Sequence, residues 1–214
     1  MNRHIRTFAL LALALLPLIT AACGDRTKRG AAVPDAAAPD SFRVKFETTK
    51  GEFTVAVTRA WAPKGADRFH RLVTEGYFKD VAFFRVLPGF MAQFGMSGDP
   101  ELNTAMDAQR ITDDPATQSN TRGTLTFATA GPDTRTNQLF INYADNAMLD
   151  AQGFAPIGKV LDGMSVVDSL YSGYGEGAPN GRGPDQDMIT KRGNAYLRLS
   201  FPKLDYIRAA TIVK

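Results

Sequence analysis

The sequence contains a single cysteine, Cys23, and only two histidines, His4 and His70. A lone cysteine excludes an intramolecular disulfide, even in an oxidising compartment. His4 lies in an N-terminal leader described below, which leaves His70 as the one histidine of the remaining chain. This scarcity rules out a Ser-His-Asp hydrolase of the usual form and a zinc site with several histidines. We therefore expect no metal site.

A strong excess of charge of one sign is also missing. The formal net charge is +3, and the leader carries Arg3 and Arg6 without any acidic residue, so the chain without its leader has a net charge of +1. Nucleic-acid binding requires a concentrated basic face. The composition therefore predicts no nucleic-acid partner.

The N-terminus carries an apolar run that is too short to span a bilayer. Arg3 and Arg6 precede the uncharged run from Phe8 to Ile19, and small residues follow up to Ala22. A secretory signal peptide typically has a positively charged start, about a dozen apolar residues and a small-residue cleavage site. A transmembrane helix needs roughly 20 consecutive apolar residues. We interpret residues 1–22 as a signal peptide.

Cys23 directly follows the predicted signal peptide. The segment Ile19-Thr20-Ala21-Ala22-Cys23 resembles a bacterial lipoprotein box, with Thr20 where the pattern prefers leucine. The alternative is an incidental cysteine. Residues 23–41 are rich in Ala, Pro, Asp and Gly without apolar periodicity, which predicts a disordered tether after a lipidated Cys23. We expect an exported protein of the periplasm or cell envelope, anchored to a membrane by this lipid.

Residues 42–214 show the periodicity of one mostly β domain. Residues 42–48 and 53–57 alternate between apolar and polar around Lys50-Gly51, which predicts a hairpin. Pro63 opens a helical pattern that ends at Gly76, and a second short helix is predicted over 165–171. Further strands are predicted over 123–129, 137–143, 155–161, 188–201 and 206–213. Many short strands with only two helices indicate a closed barrel or a sandwich.

The stretch from Phe83 to Phe94 contains two apolar strand segments separated by a Pro88-Gly89 turn. One cation, Arg85, lies among its aromatic residues. Such an arginine either extends to water from the wet face of a strand or is held over an apolar pocket. The residues alone leave both interpretations open.

Two other segments could bind ligands, but a structural interpretation is favoured for each. Residues 96–122 form a predicted long loop with five carboxylates, yet they lack the regular spacing of a calcium loop. Residues 173–177 are rich in glycine, but they do not lie between a strand and a helix with nucleotide-fold spacing. We interpret them as a flexible loop rather than a phosphate site.

Several motifs, in order, resemble the cyclophilin-type peptidyl-prolyl isomerases. Residues 84–93 are similar to the family's F-H-R-x-x-x-G-F-M-x-Q signature, with Phe84 at the histidine position. Residues 127–134 resemble M-A-N-A-G-P-N-T, 137–141 resemble S-Q-F-F-I, and 149–164 resemble the run from L-D to G-M. The similarity covers residues 42–201 and implies a closed eight-stranded antiparallel barrel capped by two helices, with a substrate groove on its outer face.

The resemblance also implies a set of site residues. Arg85 matches the catalytic arginine. The implied substrate-binding residues are the apolar Phe90, Met91, Phe140 and Leu149, the polar Gln93 and Gln138, the Ala128-Thr129 segment that binds residues before proline, and Phe154. Thr129 replaces the family's asparagine, so a contact made by that side chain is in doubt. For each apolar residue taken singly, the alternative is barrel core.

The implied activity is peptidyl-prolyl cis-trans isomerisation, without a cofactor, by a monomer acting on proline-containing polypeptides. In an exported protein this activity would assist the folding of other exported proteins. The alternative is a non-catalytic module that binds proline-containing segments as a chaperone or assembly factor. A purely structural envelope protein is disfavoured because the groove signature is intact.

Overall fold

A computed structural model describes residues 35–214. The predicted signal peptide, Cys23 and most of the predicted tether lie outside the described residues, so they stay predictions. The described strands are β1 Ser41–Thr48, β2 Gly51–Thr58, β3 Val81–Ala82, β4 Arg85–Leu87, β5 Met91–Phe94, β6 Thr124–Phe127, β7 Leu139–Asn142, β8 Pro156–Asp162 and β9 Tyr206–Val213. The α-helices are α1 Pro63–Thr74, α2 Pro100–Asp107, α3 Met164–Asp168 and α4 Gln186–Ser200, and short 3-10 turns cover Arg59–Trp61 and Ala147–Gln152.

All nine strands form one antiparallel sheet in the order β3-β9-β1-β2-β8-β6-β7-β5-β4. Its two end strands, β3 and β4, are consecutive in sequence and are separated only by Phe83 and Phe84. β3 pairs with β9, and β4 pairs with β5. One segment, residues 81–87, therefore supplies both ends of the strand order. The prediction of a mostly β, antiparallel, barrel-like fold is confirmed, and counting this interrupted segment once reconciles nine strands with the predicted eight.

The barrel core is formed by the residues whose alternation predicted the first hairpin. Phe46 on β1 and Phe53 on β2 are opposite each other in register, and their rings stack with centroids 4.8 Å apart. α1 begins at Pro63, a residue well suited to the first helical turn, and it buries Phe69 and Leu72 against this core. The predicted hairpin and first helix are confirmed.

The prediction of a strand over residues 188–201 is wrong, because α4 occupies Gln186–Ser200. The Asp185 side chain caps this helix by accepting a hydrogen bond from the Met188 backbone at 3.0 Å. Inside the helix Gly193 adopts φ +51°, and Asn194 N donates to Gly98 O at 2.9 Å. A side chain at residue 193 would collide with Gly98. The glycine thus allows a kink where the helix meets another segment.

The predicted loop over residues 96–122 contains the helix α2, Pro100–Asp107. Asp99 caps it by accepting from Glu101 N at 2.9 Å, and Pro100 occupies its start. With α3 and α4 the described chain has four α-helices instead of the predicted two. None of them is long and apolar enough to cross a membrane.

The predicted tether is wrong for its last residues, which pack on the domain. Asp35 lies 2.7 Å from Nε of Arg68 and 2.6 Å from Nε of Arg71, and the Arg68 side chain is 2% exposed. The Ala38 N–H donates to Asp67 at 2.8 Å. Because a buried guanidinium needs a partner, the sequence before β1 is tied down from Asp35 onward.

We expect Asp35→Ala, in the chain from residue 24 onward, to lower the free energy of unfolding by about 3 kcal/mol, because it leaves a buried charge without its ionic partner. The measurement is chemical denaturation. Asp40→Ala is the matched control, since Asp40 is exposed and contributes its backbone carbonyl to Arg59. Equal stability of the two variants would contradict the docking of this segment.

Candidate active site

A pocket of about 440 Å³ is lined by all ten residues that the family resemblance assigned to catalysis or substrate binding. They are Arg85, Phe90, Met91, Gln93, Ala128, Thr129, Gln138, Phe140, Leu149 and Phe154. The other lining residues include Asp107 at the end of α2, which is one of the five carboxylates of the predicted loop 96–122. They also include Arg110 and Gln186, which no sequence motif indicated. The structure brings the predicted set together, and the role of each residue stays a prediction.

The β4–β5 hairpin determines which side chains enter the pocket. Arg85 is opposite Gln93 in register, and Gly89 permits the tight turn with φ +75°. Because side chains alternate along a strand, Val86 and Ala92 enter the barrel core, while Arg85 and Gln93 face the pocket. Of the two interpretations left open for Arg85, the structure supports an arginine held at an apolar pocket, with its side chain 24% exposed.

The apolar wall of the pocket is separate from the barrel core. Met91, Phe140 and Leu149 form a buried cluster of their own, against which Phe90 and Phe154 pack. The rings of Phe140 and Phe154 meet edge to face with centroids 5.8 Å apart. These side chains are therefore not barrel core, which was the alternative for each of them. They form a surface that can receive an apolar ring.

A chain of hydrogen-bonded side chains crosses the polar side of the pocket. Nη1 of Arg85 donates to Oε1 of Gln93 at 3.0 Å, and Nε2 of Gln93 donates to Oε1 of Gln138 at 2.8 Å. Gln93 is 6% exposed. A nearly buried amide bonded at both ends cannot rotate freely, so the chain fixes the positions of three polar groups.

The principal partner of Arg85 is Glu176, which no sequence motif indicated. Nε and Nη2 of Arg85 each donate to one carboxylate oxygen of Glu176 at 2.6 Å, a bidentate pair. The segment 173–177 was interpreted as a flexible loop, yet its carboxylate is held by Gly177 N at 2.8 Å. Residues 91 positions apart have no local pattern that joins them. The only signal was a single carboxylate among the glycines.

The Thr129 hydroxyl is engaged within its own loop. Its Oγ1 lies 2.8 Å from Oγ1 of Thr134 and accepts from Gly131 N at 3.1 Å. This agrees with the expectation that replacement of the family's asparagine puts a side-chain contact in doubt. The Ala128 N–H is also occupied, since it donates to Gln138 O at 2.9 Å.

Carboxylates in the segment 96–122 have structural partners. Asp99 caps α2, Asp113 accepts from Asp133 N at 2.9 Å, and Asp114 accepts from Gly65 N at 2.9 Å and pairs with Arg135. These contacts confirm the structural interpretation for the three residues. Among the described residues 35–214, no group of three His, Cys, Asp or Glu side chains is arranged to hold a metal ion.

Comparison with known proteins identifies similar chains. The family model described as "Cyclophilin type peptidyl-prolyl cis-trans isomerase/CLD" matches residues 43–193. A peptidyl-prolyl cis-trans isomerase of Acinetobacter baylyi is 36% identical over 133 residues, which are 59% of this chain and 70% of that protein. Peptidyl-prolyl cis-trans isomerase A of Dickeya dadantii is 35% identical over 170 residues, 74% of this chain and 84% of that protein.

Solved cyclophilin-type structures have a similar fold. The cyclophilin-type isomerase of Cryptosporidium parvum superposes with a TM-score of 0.61 at 20% identity, covering 81% of this chain and 98% of that one. A second structure of that protein, in the presence of the dipeptide Ala-Pro, gives a TM-score of 0.60 at 21% identity, with 80% and 99% coverage.

The ion pair between Arg85 and Glu176 predicts a lowered pKa for the Glu176 carboxyl group. Hydrogen bonds from Arg85 lower the pKa of Glu176, and partial burial opposes them. We expect Arg85→Leu to raise this pKa toward the usual value of glutamate, measured by carbon-13 NMR of the carboxyl group. Because the folded-state pKa is lowered, the pair stabilises the fold above about pH 4.3, the unperturbed pKa. That contribution is lost as the pH falls through the lowered pKa.

The matched control is Arg122→Leu, which removes an arginine whose carboxylate partner is Asp168 rather than Glu176. It should leave the titration of Glu176 unchanged. An unshifted pKa in the Arg85 variant would mean that the pair does not persist in solution.

Proposed function

Because this chain belongs to the cyclophilin-type peptidyl-prolyl cis-trans isomerase family, we propose that it isomerises Xaa-Pro bonds in exported proteins and so assists their folding. The isomerase activity is that of the family, and Arg85 is the proposed catalytic residue. One observation carries the assignment of the site: the Arg85 guanidinium is held at the edge of a buried apolar cluster, in a pocket lined by Met91, Phe140 and Leu149. No cofactor is needed, because no bond is formed or broken.

The reaction is a rotation about the amide bond between a residue and the proline that follows it. The barrier of about 18–20 kcal/mol arises from amide resonance, which is lost when the bond twists. The nitrogen of the twisted amide becomes pyramidal and basic, and it can then accept a hydrogen bond. Arg85 is permanently charged and donates without a proton transfer. The proposed step is therefore donation from the Arg85 guanidinium to the proline nitrogen as the bond twists.

Arg85 is not sufficient by itself. A hydrogen bond to a charged group contributes about 1.5–3 kcal/mol, whereas an acceleration of about 10⁵ requires ~7 kcal/mol. The remainder must come from the apolar wall. When Met91, Phe140 and Leu149 enclose the proline ring they exclude water, which favours the less polar twisted amide and strengthens the contact with Arg85.

Gln93 is suited to hold the substrate while one side of the bond rotates. Its carbonyl oxygen is occupied by Arg85 and one N–H by Gln138. A side-chain amide has two N–H donors, so one remains for the substrate carbonyl. Gln93 therefore links the catalytic arginine to substrate binding.

The proposed location is the cell envelope, with a lipid on Cys23 as the anchor. The leader with Arg3, Arg6 and its apolar run supports export, and the lipoprotein-like residues 19–23 support lipidation. The eleven residues between Cys23 and Asp35 could extend at most roughly 40 Å. Such an anchor would keep a monomeric isomerase near the membrane surface, where exported polypeptides emerge unfolded.

We expect Arg85→Ala to lower kcat/KM for a short Xaa-Pro peptide by about 10²–10³-fold, a loss typical of removing one donor that acts in the transition state. The measurement is cis-to-trans exchange by NMR, with the chain from residue 24 onward. Binding of the peptide should weaken far less, because the apolar wall is intact.

Arg122→Ala is the matched control, since it removes an exposed arginine away from the pocket-lining residues. Peptide binding without acceleration by the unaltered chain would contradict the enzyme and favour the binding-module alternative. An active Arg85→Ala variant would place catalysis on other residues.

We expect Cys23→Ser to move the exported protein from the membrane fraction to the soluble fraction of a bacterial cell. Serine has no thiol to carry a lipid, whereas the unaltered chain should gain the mass of the lipid on Cys23. The measurement is fractionation followed by mass spectrometry of the N-terminal peptide. An unaltered chain that is soluble and carries no lipid would contradict the anchor.

A further inference from the structure

We propose that Glu176 is a positioning residue for catalysis, because its carboxylate holds the Arg85 guanidinium in the orientation that serves the pocket. This inference rests on the proposed role of Arg85. The pair is bidentate, with both distances at 2.6 Å. A bidentate contact determines the plane of the guanidinium as well as its position.

The pair leaves donors free on the arginine. Of the five N–H bonds of a guanidinium, those on Nε and one on Nη2 are used by Glu176, and one on Nη1 is used by Gln93. Among residues 35–214, the second N–H on Nη2 has no further partner, and the second N–H on Nη1 makes only a weak contact with Sδ of Met91 at 4.0 Å, which a substrate can replace. Arg85 lines the pocket and Glu176 does not. The carboxylate thus binds Arg85 outside the pocket lining, and the two remaining donors are available to a substrate.

The loop that carries Glu176 is built around its backbone. Gly183 N donates to Glu176 O at 2.8 Å, and Gly177 and Gly183 form a bridge. A Cβ on Gly183 would lie 2.8 Å from that same oxygen, so this glycine allows the close approach. These contacts involve main-chain atoms. Removal of the Glu176 side chain therefore leaves the principal contacts of the loop in place.

The loop is also anchored next to the helix α4. The rings of Tyr174 and Phe201 meet edge to face at 5.0 Å, and the Tyr174 hydroxyl accepts from Lys203 N at 3.2 Å. Gly177 N binds Oε1 of Glu176 itself at 2.8 Å. The main chain of the loop, the ring of Tyr174 and the carboxylate of Glu176 are therefore each held by a contact. A positioning residue requires such support.

Arg85 needs such a group because its side chain is long and partly exposed. Without Glu176, the side-chain contacts left to the guanidinium within residues 35–214 would both be made by Nη1, to Gln93 at 3.0 Å and weakly to Sδ of Met91 at 4.0 Å. A guanidinium held at one nitrogen can rotate away from the proline nitrogen. Since small displacements of a catalytic group cost up to about 10²-fold in rate, loss of Glu176 should reduce turnover while substrate binding is retained.

The test compares Glu176→Ala and Glu176→Gln with the unaltered chain from residue 24 onward, using an Xaa-Pro peptide. We expect Glu176→Ala to lower kcat by about 10- to 100-fold, with less than about a threefold change in the peptide Kd. Glu176→Gln keeps one acceptor oxygen and nearly the same shape, so its kcat should lie between the two. The Nε–H resonance of Arg85 should shift in both variants, which reports directly on the lost contact.

Asp168→Asn is the matched control, because it removes the carboxylate partner of a surface arginine, Arg122. It should leave kcat unchanged. A wild-type kcat in both Glu176 variants would overturn the proposal, and so would a raised kcat, which would mean that Glu176 competes with substrate for Arg85. If the unaltered chain is active and Arg85→Ala is not, these outcomes refute the positioning role alone. An inactive unaltered chain would instead refute the proposed function.

Discussion

The double pairing of residues 81–87 is the constraint on which the rest of the structure depends. Val81 and Ala82 pair with β9, and Arg85 to Leu87 pair with β5, so one short segment supplies both ends of the strand order. Between them Phe83 N donates to Asp205 O at 2.9 Å. With Val86 directed into the core, the pleat requires Arg85 to face the other side, and a slip of one residue would reverse both.

The same segment connects the barrel to the C-terminal part of the chain. Phe84 occupies the position where the cyclophilin signature has histidine, and it packs in a cluster with Ile189 and Leu197 of α4. Phe84 thus provides an apolar surface for the helix, beside which the loop 173–183 presents Glu176. Phe84 and Glu176 therefore act on the same region. Phe84 packs against the C-terminal region, and Glu176 reaches from that region to Arg85.

Much of the fold could be predicted from local pattern. The alternation in β1 and β2, the Pro88-Gly89 turn and the start of α1 each follow from physical chemistry within a few residues. The apolar and polar pocket residues required the family resemblance, because Phe140 or Leu149 alone is indistinguishable from core. The strand predicted over 188–201 was wrong because Gly193 interrupts the helical pattern. Glu176 could not be found, because no sequence rule pairs residues 91 positions apart.

The most direct test of this account is a crystal structure of the chain from residue 24 onward with a bound Xaa-Pro peptide. We expect the proline ring to lie against Met91, Phe140 and Leu149. We also expect an Nη atom of Arg85 to lie within hydrogen-bond distance of the proline nitrogen or the preceding carbonyl, while Glu176 keeps its bidentate contact. A proline bound elsewhere, or an Arg85 that leaves Glu176 in order to reach the peptide, would contradict it.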